Sequence, residues 1–368
     1  MSYKLLVVEP AGNLWGSERV LLDMLASMEG MEVAVCCPPA MPIVAELARL
    51  RIPVFETFVE RLHEKTRFAR MVALIGLMRA CAACRPDVLH VNQAGCYRLA
   101  RLAACCFRIP LVVHVRILDD AAYLARQAPK STELSAIVAI SRAMAEELDR
   151  FPTLRGLPVH TIYDAYAATA AEDAAVVEPP VGAPWRVACV GRIDPNKGQE
   201  LLLDALAWLR EKKREVRCRI VGSGERHWRE LQDKSARLGL RDQVEWLGFL
   251  REPLAAVRDC PVLVVPSHQE ALGRVIFEAW DTGCLPVVFS GSGGAAEVIA
   301  ASGGGVLYPS QTPEALGRAI EAALNMDAVE RRAAIRRGRR WMGEHCAPAR
   351  HAAAMRDVFL TAARAPAN

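Results

Sequence analysis

The chain has 368 residues, 52% of them hydrophobic and 24% charged, with a formal net charge of +4. That length exceeds what one core usually organises, so two domains of about 180 residues each are expected. The balance excludes a disordered chain, and so small a net charge gives no ground for a nucleic-acid partner.

No run is long enough to cross a bilayer, and Met1 to Glu9 reads directly as a first core strand rather than a signal peptide, so a cytosolic protein is expected. From there, short apolar runs alternate with helical patterns. Lys4 to Val8, Glu32 to Cys36, Val88 to Val91, Leu111 to Val115, Ala136 to Ile140 and His160 to Tyr163 read as strands of the first half. Ala165 to Pro184 is rich in Ala, Glu and Pro, lacks a period, and reads as a linker. Arg186 to Val190, Arg217 to Val221, Val244 to Leu247, Val262 to Val265, Pro286 to Phe289 and Val306 to Tyr308 follow as strands of the second half. Strands separated by helices imply α/β domains, each a doubly wound parallel sheet with both faces covered. The ligands of such sheets bind beyond the strand C-termini, so two such domains are expected to face a cleft.

The 12 cysteines fall mostly inside these apolar patterns, where a thiol acts as a small hydrophobe. Cys81 and Cys84 have no second pair at zinc-site spacing, so packing rather than a metal site is expected, and reduced thiols fit the cytosol. Between Glu60 and Pro110, nine basic residues (Arg61, Lys65, Arg67, Arg70, Arg79, Arg85, Arg98, Arg101, Arg108) stand against three acids, Glu60, Glu64 and Asp87. The run from Arg67 to Arg79 combines these charges with a broad apolar surface. It reads either as a helix lying on an anionic membrane or as a domain-packing helix with a solvated basic rim.

Two segments carry the chemistry. In the first, Gly191, Arg192, Lys197 and Gly198 crowd the loop between the strand-like run ending at Val190 and the helical pattern from Leu201. Glycine permits close approach of backbone to a ligand, arginine forks onto phosphate oxygens, and lysine adds a point charge, so a pyrophosphate is the expected guest. In the second, Glu270 lies in the loop after the Pro261–Pro266 strand and Glu278 in the helix that follows, with Gly273 in its first turn near donor-rich N–H groups. Taken alone the two carboxylates read as a cap and a solvated helix residue. Beside the cationic loop they suit a hydroxyl-rich, phosphate-bearing ligand such as a nucleotide-sugar.

With these motifs the chain resembles the retaining nucleotide-sugar glycosyltransferases of the GT-B fold that carry a Glu-x7-Glu signature, the glycosyl transferases group 1. The resemblance rests on the 191–198 loop, Ile220 to Glu225, Val244 to Phe249, the Glu270 to Glu278 block and Gly293 to Ile299. More thinly, it rests on Gly16 to Arg19, Asp87 to Val91 and Ile137 to Ser141 in the N-terminal half. It implies an N-terminal acceptor-side domain of residues 1–168, to which residues 345–368 return, a linker of residues 169–184, and a nucleotide-sugar-binding domain of residues 185–344. It further implies transfer from a UDP- or GDP-sugar to a saccharide or lipid-linked acceptor of polysaccharide, lipopolysaccharide or glycolipid synthesis. Neither a cofactor nor an obligatory metal is implied, since Arg192 and Lys197 stand in for a divalent ion at the leaving phosphate and no Asp-x-Asp occurs. Glu270 would hold donor-sugar hydroxyls and Glu278 the ribose. Gly16, Gly191, Phe249, Leu250, Ala271, Leu272, Gly273, Arg274 and Val275 would complete the donor site.

The chain also departs from the family's pattern. Arg116 stands where many relatives have a histidine that reaches the donor sugar, with His114 two residues earlier on the same strand face. Both are candidates, and a packed core histidine is the plainer reading of His114. Tyr163 and Asp164 replace a common Asn-Gly, and Arg274 replaces an aliphatic residue. Rival readings are a nucleotide-sugar epimerase and a non-catalytic partner subunit of the same fold. A dinucleotide dehydrogenase is rejected, because Gly12 to Gly16 lacks the Gly-x-Gly-x-x-Gly spacing.

Overall fold

The computed structural model describes residues 3–59, 66–128, 134–178, 184–250 and 252–364. Glu60, Arg61, Glu64 and Lys65 of the basic stretch, and residues 179–183 of the expected linker, lie outside the described residues. The chain forms two compact units, residues 1–167 with 345–368, and residues 168–344.

In the first unit the chain runs β1 (Tyr3–Val8), α1 (Gly16–Ala26), β2 (Met31–Cys37), α2 (Pro42–Arg49), β3 (Val54–Glu56), α3 (Arg67–Cys84) and β4 (Val88–Val91). It continues through α4 (Tyr97–Phe107), β5 (Leu111–Val115), α5 (Leu118–Gln127), β6 (Leu134–Ala139), α6 (Arg142–Asp149) and β7 (Val159–Thr161). The seven strands lie in the order β3-β2-β1-β4-β5-β6-β7, all neighbours parallel. Every residue of β4 and β5 is buried, as befits central strands covered on both faces. Right-handed crossovers put α1 and α2 on one face and α3 to α6 on the other, because the chain reverses its direction across the sheet after β3. Strand β3 escapes the sequence pattern: three residues at a sheet edge are too few to show a period, and Val54 is held by pairing with Val35.

The second unit runs β8 (Trp185–Val190), α7 (Gln199–Glu211), β9 (Val216–Val221), α8 (Glu225–Arg237), β10 (Val244–Gly248), β11 (Val262–Val265) and α9 (Val275–Thr282). It ends with β12 (Leu285–Phe289), α10 (Gly294–Ser302), β13 (Val306–Tyr308), α11 (Pro313–Asn325) and α12 (Ala328–Cys346), which carries the chain back to the first unit. Its six parallel strands follow the order β10-β9-β8-β11-β12-β13. Core residues of β8, β9 and β11 such as Val187, Ile220 and Val264 pack with Leu202 and Leu206 of α7 and Leu316 and Ile320 of α11. Burying each such side chain contributes about 1.5–3 kcal/mol.

Residues 169–178 are fastened to the second unit. Asp281 accepts from the Thr169 and Ala170 backbone at 2.9 and 2.7 Å, Val177 N donates to Gly283 O, and Arg339 donates to the Ala174 carbonyl at 2.6 Å. The final helix α13 (Pro348–Arg364) belongs to the first unit, where Met355 and Phe359 enter the core beside Val7 and Leu21. No helix among the described residues is long and apolar enough to cross a membrane.

Candidate active site

The strand order of the second unit reverses between β8 and β11. These two strands pair only at Val262 with Val187 and Leu263 with Ala188, then part before their C-terminal ends. A crevice beyond such a reversal is where parallel open sheets take ligands. Its walls are the 191–198 loop after β8 and the 266–274 loop after β11.

The first wall is shaped by backbone chemistry. Asp194 caps a 3-10 turn at Pro195–Lys197 by accepting from Asn196 N at 3.0 Å. The turn ends at Gly198 in the left-handed region (φ 69°), where a Cβ would lie 2.1 Å from the Pro266 carbonyl oxygen. Only glycine tolerates both the conformation and that approach. His268 N donates to Asn196 O at 2.8 Å, and Asn196 Nδ2 to Gln269 O at 2.9 Å, which ties the two walls together. Gly198→Ala is therefore expected to cost about 1–3 kcal/mol and to weaken ligand affinity. Urea unfolding and titration calorimetry of the variant check both effects.

Across the crevice Lys197 Nζ meets Glu270 Oε1 at 2.6 Å, and Ser267 Oγ donates to the same oxygen at 2.7 Å. Glu270 Oε2 accepts no hydrogen bond among the described residues, so one carboxylate oxygen is anchored and the other is available to a ligand. The Glu270 backbone is clamped as well: its N donates to Ser292 O at 2.7 Å and its O accepts from Gly294 N at 2.9 Å. That close fit explains Gly294, whose Cβ would lie 2.1 Å from Ala271 O. Gly273, expected in the first turn of α9, lies just before the helix with φ 80°, Arg274 stands at the N-cap position without a side-chain capping bond, and Glu278 sits half-buried in the first turn. Leu272 is buried.

Arg192 projects outward with 73% of its side chain exposed, 3.2 Å from Asp194 Oδ2. Phe249, 64% exposed, and Leu250 follow β10, two strands away from β8. Sequence reasoning left one neighbouring feature out of the site. A cavity of about 530 Å³ beside the β9 loop is lined by Gly222, Ser223, Gly224, Trp228, Arg229, Gln232 and Gly248. Its signal was present in the Gly-Ser-Gly sequence immediately after β9.

The first unit concentrates its polar groups at the corresponding reversal, between β1 and β4. Arg116, at the end of β5, donates through Nε to Asn92 O at 2.9 Å and through Nη2 to Asn92 Oδ1 at 2.8 Å. Its Nη1 meets Asp164 Oδ1 at 2.5 Å, and both side chains are buried. The charge of Arg116 is thus neutralised within its own unit, and the two departures from the family's pattern, at 116 and 164, complement one another. His114 is fully buried with Nδ1 3.2 Å from Arg116 Nη2, which requires a neutral ring accepting at Nδ1. Burial, reinforced by the Arg116 charge, holds its pKa well below the ordinary histidine value.

Glu9, at the end of β1, was missed in the sequence. It accepts from Asn92 Nδ2 and from Ala11 N at 2.8 Å. Gly16, for its part, is simply the first residue of α1. The left-handed residue of that loop is Gly12 (φ 75°), whose Cβ would lie 2.7 Å from the Met41 side chain. Burial, with Glu18 nearby, pushes the Glu9 pKa up to about 7 from 4.5. The folded state then holds this proton more tightly than the unfolded one. The associated stability is complete below about pH 4.5 and lost as pH rises through about 7. Glu9→Gln is expected to remove that loss, so its urea midpoint gains on the unaltered protein across this window.

Comparison with known proteins comes from both halves. Residues 173–341 match the family model described as glycosyl transferases group 1, and residues 16–166 match that of glycosyltransferase family 4. The chain is 37% identical over 140 residues to a D-inositol 3-phosphate glycosyltransferase of Streptomyces griseus, covering 35% of this chain and 29% of that one. It is 40% identical over 133 residues to the Segniliparus rotundus protein of the same name, with 35% and 29% covered. The matches thus span under a third of these relatives' length. In fold, the chain is similar to the Anabaena HepE protein in complex with UDP and glucose, at a TM-score of 0.78 with 19% identity, covering 98% of this chain and 100% of that one. A Rickettsia africae glycosyltransferase gives 0.80 with 18% identity over 99% of each chain. These likenesses establish the GT-B fold.

Proposed function

The chain belongs to the glycosyl transferases group 1, and from that premise we propose that it moves a sugar from a UDP- or GDP-sugar to a saccharide or lipid-linked acceptor with retention of anomeric configuration. The observation that carries this reading is the Lys197–Glu270 pair at 2.6 Å in the β8/β11 crevice. It sets a cation for a diphosphate beside a carboxylate with one open oxygen for sugar hydroxyls. The likeness in fold to HepE, a protein seen in complex with UDP and glucose, favours a uridine donor.

In this mechanism the acceptor hydroxyl attacks the anomeric carbon on the face that the nucleotide leaves. The new C–O bond forms as the bond to the β-phosphate oxygen breaks, and the hydroxyl proton passes to that oxygen. Lys197 and the exposed Arg192 stabilise the charge that develops on the departing diphosphate, and the N–H groups at the start of α9 add to them. This makes a divalent ion unnecessary, so turnover is expected to persist in EDTA. Glu270 Oε2 and Glu278 hold sugar and ribose hydroxyls by charge-assisted hydrogen bonds, so positioning supplies much of the rate. Arg116 and His114 shape the first unit from within. Most of the 12 cysteines are buried as small hydrophobes, a packing role that suits a reducing compartment such as the cytoplasm.

A panel of nucleotide-sugars tested for thermal stabilisation identifies the donor, because a ligand that binds only the folded state raises its melting temperature. Glu270→Gln is expected to weaken the intact donor about tenfold or more while leaving free nucleotide affinity within about twofold, since the charged acceptor of the sugar hydroxyls is lost while Lys197 keeps its charge for the diphosphate. Equal losses for both ligands in calorimetry would refute the assigned role. Donor incubated without acceptor is expected to keep its sugar configuration, and appearance of an epimer would favour the epimerase reading.

A further inference from the structure

Helix α3 has two apolar sides. One buries Ala73, Leu77, Ala80 and Cys81 against the sheet, and Gly76 lets the helix approach so closely that a Cβ there would lie 2.0 Å from Thr57 Oγ1. The opposite side exposes Phe68 (70%), Met71 (52%), Val72 (38%) and Ile75 (48%), with Arg67 and Arg79 also exposed. Positions 68, 72, 75 and 79 follow the helical period, so they form one stripe along the helix. Helix α3 thus packs on its own sheet, as the domain-packing reading expects, and carries in addition an apolar stripe that is not covered among the described residues.

Helix α4 packs beside α3 on the same sheet face and exposes Leu102 and Phe107. Scattered surface hydrophobes need no explanation, but a contiguous set of this size on one helix side marks an interaction surface. Its charge identifies the partner. Residues 66–110 contain seven arginines and a single acid, Asp87. Two copies of so basic a surface repel one another, whereas a bilayer with anionic headgroups offers both the apolar interior and the counter-charge.

We propose that the outer face of α3, with α4 beside it, docks onto an anionic lipid surface. The apolar stripe enters the boundary between headgroups and acyl chains while the exposed Arg67 and Arg79 extend to lipid phosphates. The helix is already formed: Thr66 caps it by accepting from Ala69 N at 3.2 Å, so docking incurs no folding cost in the helix. This surface is independent of the donor site, and donor uptake by calorimetry is expected to be the same in every variant below.

Sedimentation of the full chain with vesicles of phosphatidylcholine, with and without phosphatidylglycerol, tests the proposal. Binding is expected only to the phosphatidylglycerol vesicles and to fall as salt is added. Arg67→Glu with Arg79→Glu is expected to weaken it about twentyfold or more, from roughly fivefold per lost positive charge. Phe68→Ser with Ile75→Ser is expected to abolish sedimentation while leaving the thermal midpoint unchanged, because both side chains are exposed. The proposal is overturned if the unaltered chain ignores anionic vesicles, or binds neutral ones equally well. It is also overturned if either variant binds undiminished, or if light scattering shows dimers that the Phe68/Ile75 variant loses, which would make the stripe a surface for a second copy.

Discussion

Replacing Lys197 by alanine is expected to lower turnover about 10²–10³-fold, the scale seen when one preorganised charge or donor is removed from a developing anion. The geometry argues that most of this loss falls on the chemical step. The ammonium is held in place by Glu270 Oε1 at 2.6 Å and is partly shielded from water, so its attraction to a developing anion is screened less than at a fully exposed site. The fold is expected to survive, because Lys197 sits on a surface turn whose shape is set by Asp194 and Gly198. Glu270 also retains Ser267 as a donor and its two backbone hydrogen bonds. Lys197→Arg is expected to recover part of the rate, since it restores the charge with altered geometry. Steady-state kinetics with the identified donor, together with urea midpoints, check the two halves of this expectation. A variant as active as the unaltered protein would remove the ammonium from the mechanism.

Breaking the Arg116–Asp164 pair is expected to destabilise the first unit by about 3–5 kcal/mol, because the remaining charge is stranded where water does not reach it. Asp164→Ala leaves a guanidinium anchored on Asn92 and without its hydrogen-bonded carboxylate. Arg116→Met leaves a buried carboxylate and also frees the Asn92 oxygens. The double variant is expected to lose less than the sum of the singles, since neither charge then lacks a partner. Hydrogen exchange at β4, β5 and β6 reads this unit separately, which matters because a chain of two units need not unfold in one step. Strictly additive losses would show that the two groups do not depend on one another. Nucleotide affinity is expected to stay unchanged, as Arg192, Lys197, Glu270 and Glu278 all belong to the second unit.

The strands legible in the sequence were those with a local signature. Val262–Val265 and Leu111–Val115 are short, β-branched and bounded by turns, and they stand where they were expected. The 191–198 and 266–274 loops were equally legible, because glycines and capping residues mark strand-to-helix turns by the backbone conformation they permit. Gly12 and Gly16 show the limit of that signal. Gly16 opens α1 while Gly12 lies in the loop before it, and only the tertiary structure shows that Gly12 takes the left-handed conformation and that a Cβ there would meet Met41. Glu9 and Asn92 were invisible for a different reason. Each is an ordinary polar residue at a strand end, and 83 positions separate them.

What the sequence determined alone was the alternation of strand and helix, the two-sheet α/β class and the chemical types carried by each loop, since all follow from spacing within a few residues. The order of strands decided the rest. Lys197 and Glu270 meet because β8 and β11 are neighbours, and Arg116 finds Asp164 because the segment beyond β7 returns to the end of β5. Parallel pairing is made by backbone groups common to every residue. Which strands become neighbours, and therefore which charges share a site, is settled only when the helices pack over the completed sheets.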